Sequence, residues 1–163
     1  MGICQDRVVI ITGAGGGLGA AHAKVFASEG AKVIVNDINQ DAAQKVVDEI
    51  TAAGGTAIVN TSDITNYDDS LNAVKQAIDT FGDLHVVLNN AGINRDRMFA
   101  SMTEADWDAI MAVHLKGHFC ITSHAVHYWR GQSKEGKAVD ARIINTTSGA
   151  GLQGSVGQSN YAA

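Results

Sequence analysis

The stretch VVIITGAGGGLG, residues 8–19, decides the fold. A short apolar run ends in a glycine-rich turn, and an alanine-rich helical pattern follows directly. A strand, a tight turn and a helix start in this order present bare backbone N–H groups to a phosphate. The spacing Gly13-x-x-x-Gly17-x-Gly19 differs from G-x-G-x-x-G, and glycine-rich loops also occur as plain turns. The stretch therefore predicts a phosphate-binding turn that needs support from the rest of the chain.

Composition limits the possible partners. With 163 residues, 45% of them hydrophobic, the chain can form one domain with a substantial core. A net charge of −5 without a basic run argues against nucleic acid and against anionic membrane surfaces. No apolar stretch approaches the roughly 20 residues of a membrane span. The two cysteines, Cys4 and Cys120, have no metal or disulfide spacing, so we expect a cytoplasmic protein.

Strand and helix patterns alternate along the whole chain. The predicted strands are short, β-branched and apolar, as expected when helices cover both faces of a sheet. This alternation predicts an α/β fold with a doubly wound parallel sheet of the Rossmann type, in one domain that spans residues 1–163. Strands are predicted at 7–12, 31–37, 56–60, 84–89 and 142–147, and helices at 17–29, 39–53, 66–81 and 103–130.

The second predicted strand ends in a candidate ligand contact, because ligands of doubly wound sheets bind at the carboxyl ends of the strands. Asp37 follows the glycine turn by about 20 residues, where a carboxylate accepts hydrogen bonds from ribose hydroxyls. The same negative charge would repel a 2′-phosphate, so we expect NAD as the cofactor rather than NADP. The alternative is that Asp37 only caps the turn that follows it.

Polar and small residues also follow the third and fourth predicted strands. Asp63 and Ile64 come after the third strand, where they can reach an adenine edge. Asn90, Ala91 and Gly92 follow the fourth strand and leave room for a ribose and a nicotinamide. Strand ends rich in Asn and Asp are also ordinary turns, so each of these signals is weak alone.

Together, these pieces resemble the short-chain dehydrogenase/reductase family from residue 7 to nearly the last residue. The matching pieces are TGAGGGLG at 12–19, Asp37, Asp63, NNAG at 89–92, INTTS at 144–148, and Tyr161 at 13 positions after Ser148. The resemblance implies hydride transfer between a nicotinamide and a carbinol or carbonyl carbon of a small-molecule substrate. It also implies that Ser148 holds the substrate oxygen and that Tyr161 is the general acid/base. The cofactor-binding residues that it implies are Thr12, Gly13, Gly15, Gly16, Gly17, Leu18, Gly19, Asp37, Asp63, Ile64, Asn90, Ala91, Gly92, Val113 and Tyr161.

A tyrosine base of this kind needs activation. A phenol with a reference pKa of about 10 is a poor base at neutral pH. In the family, a lysine one helical turn beyond the tyrosine lowers that pKa. The chain ends at Ala163, two residues short of that position and before the sixth and seventh strands. We therefore expect a truncated chain, inactive alone, from a longer dehydrogenase. The alternatives are an interfacial role for Tyr161 and a non-catalytic nucleotide-binding module.

His114 stands where most of the family has an asparagine in the long helix. This substitution is similar to the hydroxyacyl-CoA and 17β-hydroxysteroid dehydrogenase branch, which includes multifunctional enzymes, and residues 90–97 and 154–161 point the same way. The implied substrate is a 3-hydroxyacyl-CoA or a hydroxysteroid, with a 3-oxoacyl reductase as the alternative activity. His114 is a candidate catalytic residue because histidine can bond a water or donate to a carbonyl. A buried imidazole that only shapes the helix is the alternative.

No metal site is expected. His114 and His118 share one helical face, but no acidic residue lies between them as in the H-E-x-x-H motif. The family commonly forms dimers or tetramers by packing of the long helix before the fifth strand and of the helix that the tyrosine starts. The resemblance therefore implies a homodimer or homotetramer for the full-length protein.

Overall fold

The computed structural model of the chain describes residues 2–163 and contains a five-stranded parallel sheet. The strands are β1 (Val8–Thr12), β2 (Lys32–Asn36), β3 (Thr56–Asn60), β4 (Val86–Asn89) and β5 (Arg142–Asn145). Their order in the sheet is β3-β2-β1-β4-β5, and all four pairings are parallel. The strand order reverses between β1 and β4, which is where ligands of doubly wound sheets bind.

Helices cover both faces of the sheet. The helices are α1 (Gly17–Ser28), α2 (Gln40–Ala52), α3 (Tyr67–Phe81), α4 (Glu104–Ile110), α5 (Gly117–Lys134) and α6 (Gly149–Gln153). Val9 and Ile11 of β1 pack with residues of α1 and α2, whereas Val8 and Ile10 pack with residues of α3 and α5. Burial on both sides explains why the strands are continuous apolar runs. The predicted doubly wound α/β fold is confirmed.

The helix predicted at 103–130 is interrupted and longer than expected. It consists of α4, a π-helical turn over Met111–Lys116, and α5, which ends at Lys134. A capping box between Thr103 and Asp106 begins α4. Because a π-helical turn adds a residue without changing the local composition, the hydrophobic periodicity of the sequence does not reveal it. The short helix α6 was not predicted either.

Part of the molecular surface is apolar. β5 lies at the edge of the sheet, and Ile143 and Ile144 on it are each 42% exposed. Leu115, Phe119 and Val126 form a second exposed apolar stripe, because their spacing places them on one side of the π-helical turn and α5. Within residues 2–163, no helix has both the length and the apolar character needed to cross a membrane.

Candidate active site

Two glycines of the turn are required by packing inside the protein. Gly13 has a φ of +62°, and a Cβ on it would lie 2.7 Å from the Cα of Ala91. A Cβ on Gly19 would lie 2.2 Å from the carbonyl oxygen of Gly13. Both distances are shorter than any van der Waals contact. The turn, the start of α1 and the loop after β4 therefore approach one another only because these positions carry no side chain.

Packing inside the protein does not require a glycine at position 16. Its φ of −165° is open to any residue, and nothing lies within 4 Å of the position that a Cβ would take. Gly16 is also the N-cap of α1, and no side chain among the described residues caps this helix. By contrast, side chains of Asn39, Asn66 and Thr103 cap α2, α3 and α4. Open space beside free N–H groups at the positive end of a helix dipole fits a phosphate.

Asp37 joins the turn to the end of β2. Its carboxylate accepts hydrogen bonds from the backbone N–H groups of Gly15 and Asn39, both at 2.9 Å. The bond from Asn39 caps the turn after β2, which is the alternative role that the sequence indicates for Asp37. The two bonds go to different carboxylate oxygens, so each oxygen keeps a further lone pair for a ligand. Asp37 therefore caps its own turn and is still able to accept bonds from a ligand.

Thr12 and Asn90 hold the turn against the loop after β4. Thr12 Oγ1 accepts hydrogen bonds from the N–H groups of Asn90 and Ala91, both at 3.0 Å. The side-chain amide of Asn90 donates back to the carbonyl of Thr12 at 3.1 Å. Thr12 is completely buried, so it acts from beneath the surface. These bonds fix the distance between β1 and β4 where the strand order reverses.

A row of polar side chains at the carboxyl edge of the sheet was missed by the sequence reasoning. Four strands end in asparagine, and β1 ends in Thr12 in the same register. Asn36 donates to Asn60 Oδ1 at 2.7 Å, and Asn89 donates to Asn145 Oδ1 at 2.9 Å. The repeated pattern of three residues followed by asparagine, as in VIVN, AIVN, VVLN and RIIN, could have revealed the row. The row ties the strand ends together beneath the site.

A cleft of about 480 Å³ opens above this edge of the sheet. The glycine turn forms one side of it, and the loop after β4 together with Tyr161 forms the other. It is lined by Gly13, Gly16, Leu18, Asp37, Asn90, Gly92, Ile93, Asn94, His114, Thr146 and Tyr161. Of these, Ile93, Asn94 and Thr146 were not predicted, although each is close in sequence to a predicted residue. The structure thus brings together residues from distant parts of the chain.

His114 contacts both the loop after β4 and the tyrosine. It lies in the π-helical turn, and its Nε2 is 3.0 Å from the nitrogen and 2.8 Å from the oxygen of Ile93. A Cβ on Gly92 would lie 2.7 Å from the imidazole, so glycine provides the space for this ring. The rings of His114 and Tyr161 meet edge to face, at 90° with centroids 5.1 Å apart. On the next turn, burial and the nearby His114 lower the pKa of His118.

Several predicted residues are not in the cleft lining. Ser148 caps α6 by accepting an N–H of its first turn at 3.2 Å. Asp63 accepts two hydrogen bonds from Thr65, each at 2.8 Å. Ile64 is buried against the start of α5, and Val113 is half-buried in the π-helical turn. Their assignments as ligand contacts stay predictions.

Comparisons with known proteins agree with this geometry. A family model described as short chain dehydrogenase matches residues 7–163. Over 166 residues the chain is 46% identical to hydroxyacyl-CoA dehydrogenase ChsB1 of Mycobacterium tuberculosis, with coverage of 98% of this chain and 52% of that protein. Over 168 residues it is 46% identical to peroxisomal multifunctional enzyme type 2 of Mus musculus, with coverage of 98% and 22%.

A solved structure is similar as well. The crystal structure of a short chain dehydrogenase from Mycobacterium avium matches with a TM-score of 0.97 and 59% identity, over 99% of this chain and 59% of that one. The chain spans about half the length of the mycobacterial relatives and less of the multifunctional enzyme. The resemblance predicted from the sequence is confirmed. The chain belongs to the short-chain dehydrogenase family, whose members are oxidoreductases that use a nicotinamide cofactor.

Proposed function

We propose that the chain is the dinucleotide-binding part of an NAD-dependent dehydrogenase that acts on a secondary alcohol or a ketone. The observation that carries the proposal is that Tyr161 and the glycine turn line one cleft. We favour a 3-hydroxyacyl-CoA as the substrate class, because relatives with 46% identity are named hydroxyacyl-CoA dehydrogenase and multifunctional enzyme. A hydroxysteroid is the second choice.

The shape of the cleft supports the proposed position of the cofactor. The pyrophosphate would lie beside Gly16, where there is open space and where the N–H groups of α1 have no side-chain cap. Asp37 would accept hydrogen bonds from the adenosine ribose, and its charge would disfavour a 2′-phosphate. Asp63 would lie near the adenine. The nicotinamide would lie between Asn90 and Tyr161, which both line the cleft.

The proposed chemistry needs a proton carrier beside the nicotinamide. When bound, NAD supplies a hydride acceptor. Tyr161 would take the proton of the substrate hydroxyl at its Oη, while Ser148 holds the substrate oxygen by a hydrogen bond. His114 supports the tyrosine ring through their edge-to-face contact. A phenol needs a neighbouring cation to act as a base near neutral pH, and we expect the full-length protein to supply one.

The test is a Tyr161→Phe substitution in the full-length protein, with NAD, a 3-hydroxyacyl-CoA as substrate and NADH formation as the readout. Loss of a general acid/base lowers kcat by about 10²- to 10⁴-fold. NADH affinity should stay within about twofold, since Phe keeps the ring. Undiminished turnover in the variant would remove Tyr161 from its role. NADH binding without turnover of any secondary alcohol, even in the unaltered protein, would favour the non-catalytic nucleotide-binding module.

We further propose that the full-length protein is a homodimer or homotetramer in the cytoplasm. The exposed stripe of Leu115, Phe119 and Val126 supports the first part, because apolar patches of this kind mark contact surfaces. The second part is supported by the cysteines, since Cys4 and Cys120 are both free thiols, as is usual in a reducing compartment.

A further inference from the structure

Two stretches that are distant in sequence, 90–97 and 154–161, meet in the structure. Both stretches carry the resemblance to the hydroxyacyl-CoA and hydroxysteroid dehydrogenase branch of the family. Arg97 and Gln158 form a parallel β-bridge, and the N–H of Arg97 donates to the carbonyl of Gly157 at 2.7 Å. The segment that leads to the tyrosine is therefore docked on the loop after β4.

Asn160 is the buried centre of this contact, with 1% of its surface exposed. Its Nδ2 donates to the carbonyl oxygens of Arg95 and Asp106, both at 3.2 Å. Its Oδ1 accepts the N–H of Tyr161 at 2.9 Å. Both hydrogens and the oxygen of the amide are thus in use. One side chain links the backbone of Tyr161 to the loop after β4 and to α4.

Tyr161 lies in a turn over residues 158–162, which is closed by the N–H of Ala162 donating to the carbonyl of Gln158 at 2.8 Å. Within this turn, the N–H of Tyr161 itself donates to the side chain of Asn160. That side chain is anchored in turn to Asp106, whose carboxylate belongs to the capping box of α4.

We propose that Asn160 is a positioning residue that fixes Tyr161 over the cleft by tying its backbone to the loop after β4 and to α4. The meaning of this position for catalysis rests on the proposed role of Tyr161. The loop that lines the nicotinamide end of the cleft and the segment that carries the tyrosine then form one unit. Asn160 acts on the reaction through Tyr161 and touches no reacting atom.

The first test compares Asn160→Ala with Asn66→Ala by proton NMR of the chain. Asn66 is a matched control, because its Oδ1 also accepts one backbone N–H, at 3.0 Å, but at the start of α3. The rings of His114 and Tyr161 are close enough for cross-relaxation peaks between them. We expect these peaks in the unaltered chain and in Asn66→Ala, and we expect their loss in Asn160→Ala. Peaks that persist in Asn160→Ala would overturn the proposal.

The second test separates positioning from a general loss of structure. The glycine turn and Asp37 belong to other elements, so NADH affinity of Asn160→Ala should stay within about twofold of the unaltered value. Turnover by the full-length variant should fall at least about tenfold, which corresponds to about 1.4 kcal/mol of transition-state stabilisation. A parallel loss of NADH affinity and turnover, or no loss of turnover, would contradict the proposal.

A third measurement does not depend on the variant being folded. In the unaltered chain, the hydrogen-bonded amide of Tyr161 should exchange with solvent more slowly than the amide of Val156, whose residue is 87% exposed. Equal exchange rates would overturn the proposal. The ring cross-peaks and the exchange rates need neither cofactor nor turnover. An absence of dehydrogenase activity in the unaltered protein would therefore contradict the proposed function and leave these two results to decide the position of Tyr161.

Discussion

At the scale of single residues, Asp37 carries the proposed choice of cofactor, and its replacement is the direct test. The Asp37→Ala substitution removes a negative charge from the edge of the cleft. Like charges about 4 Å apart repel by about 1–4 kcal/mol. The ratio of NADPH to NADH affinity should therefore rise about tenfold or more, as measured by fluorescence titration with both cofactors. An unaltered protein that already prefers NADPH would overturn this interpretation of Asp37.

Residues that belong to a local motif could be predicted from the sequence, and residues that act through distant partners could not. Gly16 lies in the turn between β1 and α1, and Asp37 directly follows β2, where the fold class alone makes them candidates. Asn160 is different, because its partners Arg95 and Asp106 are 65 and 54 positions away. Nothing local distinguishes a buried asparagine with three hydrogen bonds from an exposed one beside a tyrosine.

At the scale of elements, the turn between β1 and α1 separates two kinds of glycine. Gly16→Ala should unfold at nearly the temperature of the unaltered chain, because nothing lies within 4 Å of the new Cβ. It should nevertheless weaken NADH binding about tenfold or more, because the methyl group occupies the proposed phosphate position. The matched variant Gly19→Ala places a Cβ 2.2 Å from the oxygen of Gly13. It should lose about 1–3 kcal/mol in the free energy of unfolding.

Calorimetry and NADH titration of both variants check this contrast. Normal NADH binding by Gly16→Ala would show that the phosphate does not lie beside this residue. A Gly19→Ala chain of full stability would show that α1 can shift away from β1 without cost.

Tyr128, in the second half of α5, gives a pH-dependent prediction. Tyr128 donates to Asp83 at 2.9 Å, and its burial together with that carboxylate raises its pKa to about 12. Because the folded state holds this proton more tightly than the unfolded state, the contribution of Tyr128 to stability is complete below about pH 10. It is lost as the pH rises from there towards about 12. The stability advantage of the unaltered chain over Tyr128→Phe should shrink over this range.

The measurement is urea unfolding of both chains at a series of pH values from 8 upwards, with absorbance titration of the phenols alongside. Subtracting the Tyr128→Phe titration from that of the unaltered chain isolates one of three tyrosines. A difference titration centred near the reference value of about 10 would contradict the assignment.

Elements differ in how far the sequence reveals them. All five strands lie within the predicted ranges, because a buried parallel strand is an apolar run that little else imitates. The long helical region was predicted, but its division by the π-helical turn was not, since the apolar spacing is similar on both sides. That turn carries His114. The sequence therefore identifies His114 as a candidate, but it does not predict that the ring contacts the loop after β4.

At the scale of the whole molecule, the exposed stripe on α5 gives a prediction about assembly. Phe119 is 60% exposed and stacks on Tyr67 with ring centroids 5.9 Å apart. Phe119→Glu places a charge in this stripe, and a buried unpaired charge is strongly unfavourable. We expect the proposed dimer or tetramer to dissociate at least one step, as measured by sedimentation velocity. The control is Val25→Glu on α1, whose residue is 62% exposed on another helix, and it should not change the assembly.

A monomeric unaltered protein, or equal dissociation by both variants, would contradict that surface assignment.

The fold itself is the most predictable feature at this scale. Strictly alternating strands and helices leave few arrangements other than a parallel sheet covered on both faces, and the two packed layers around β1 follow from that.

The hydrogen bond from Gly15 to Asp37 has a consequence for protein engineering. The carboxylate that would select the cofactor also holds the turn that would bind its phosphates, so specificity and affinity are mechanically linked at one residue. Removing the side chain to admit NADP also frees the Gly15 N–H and loosens the turn. Asp37→Asn is the better starting point for a switch, because the amide oxygen can still accept from Gly15 while the charge is gone, at the cost of the second bond, from the N–H of Asn39. A cationic side chain nearby would then complete the redesign.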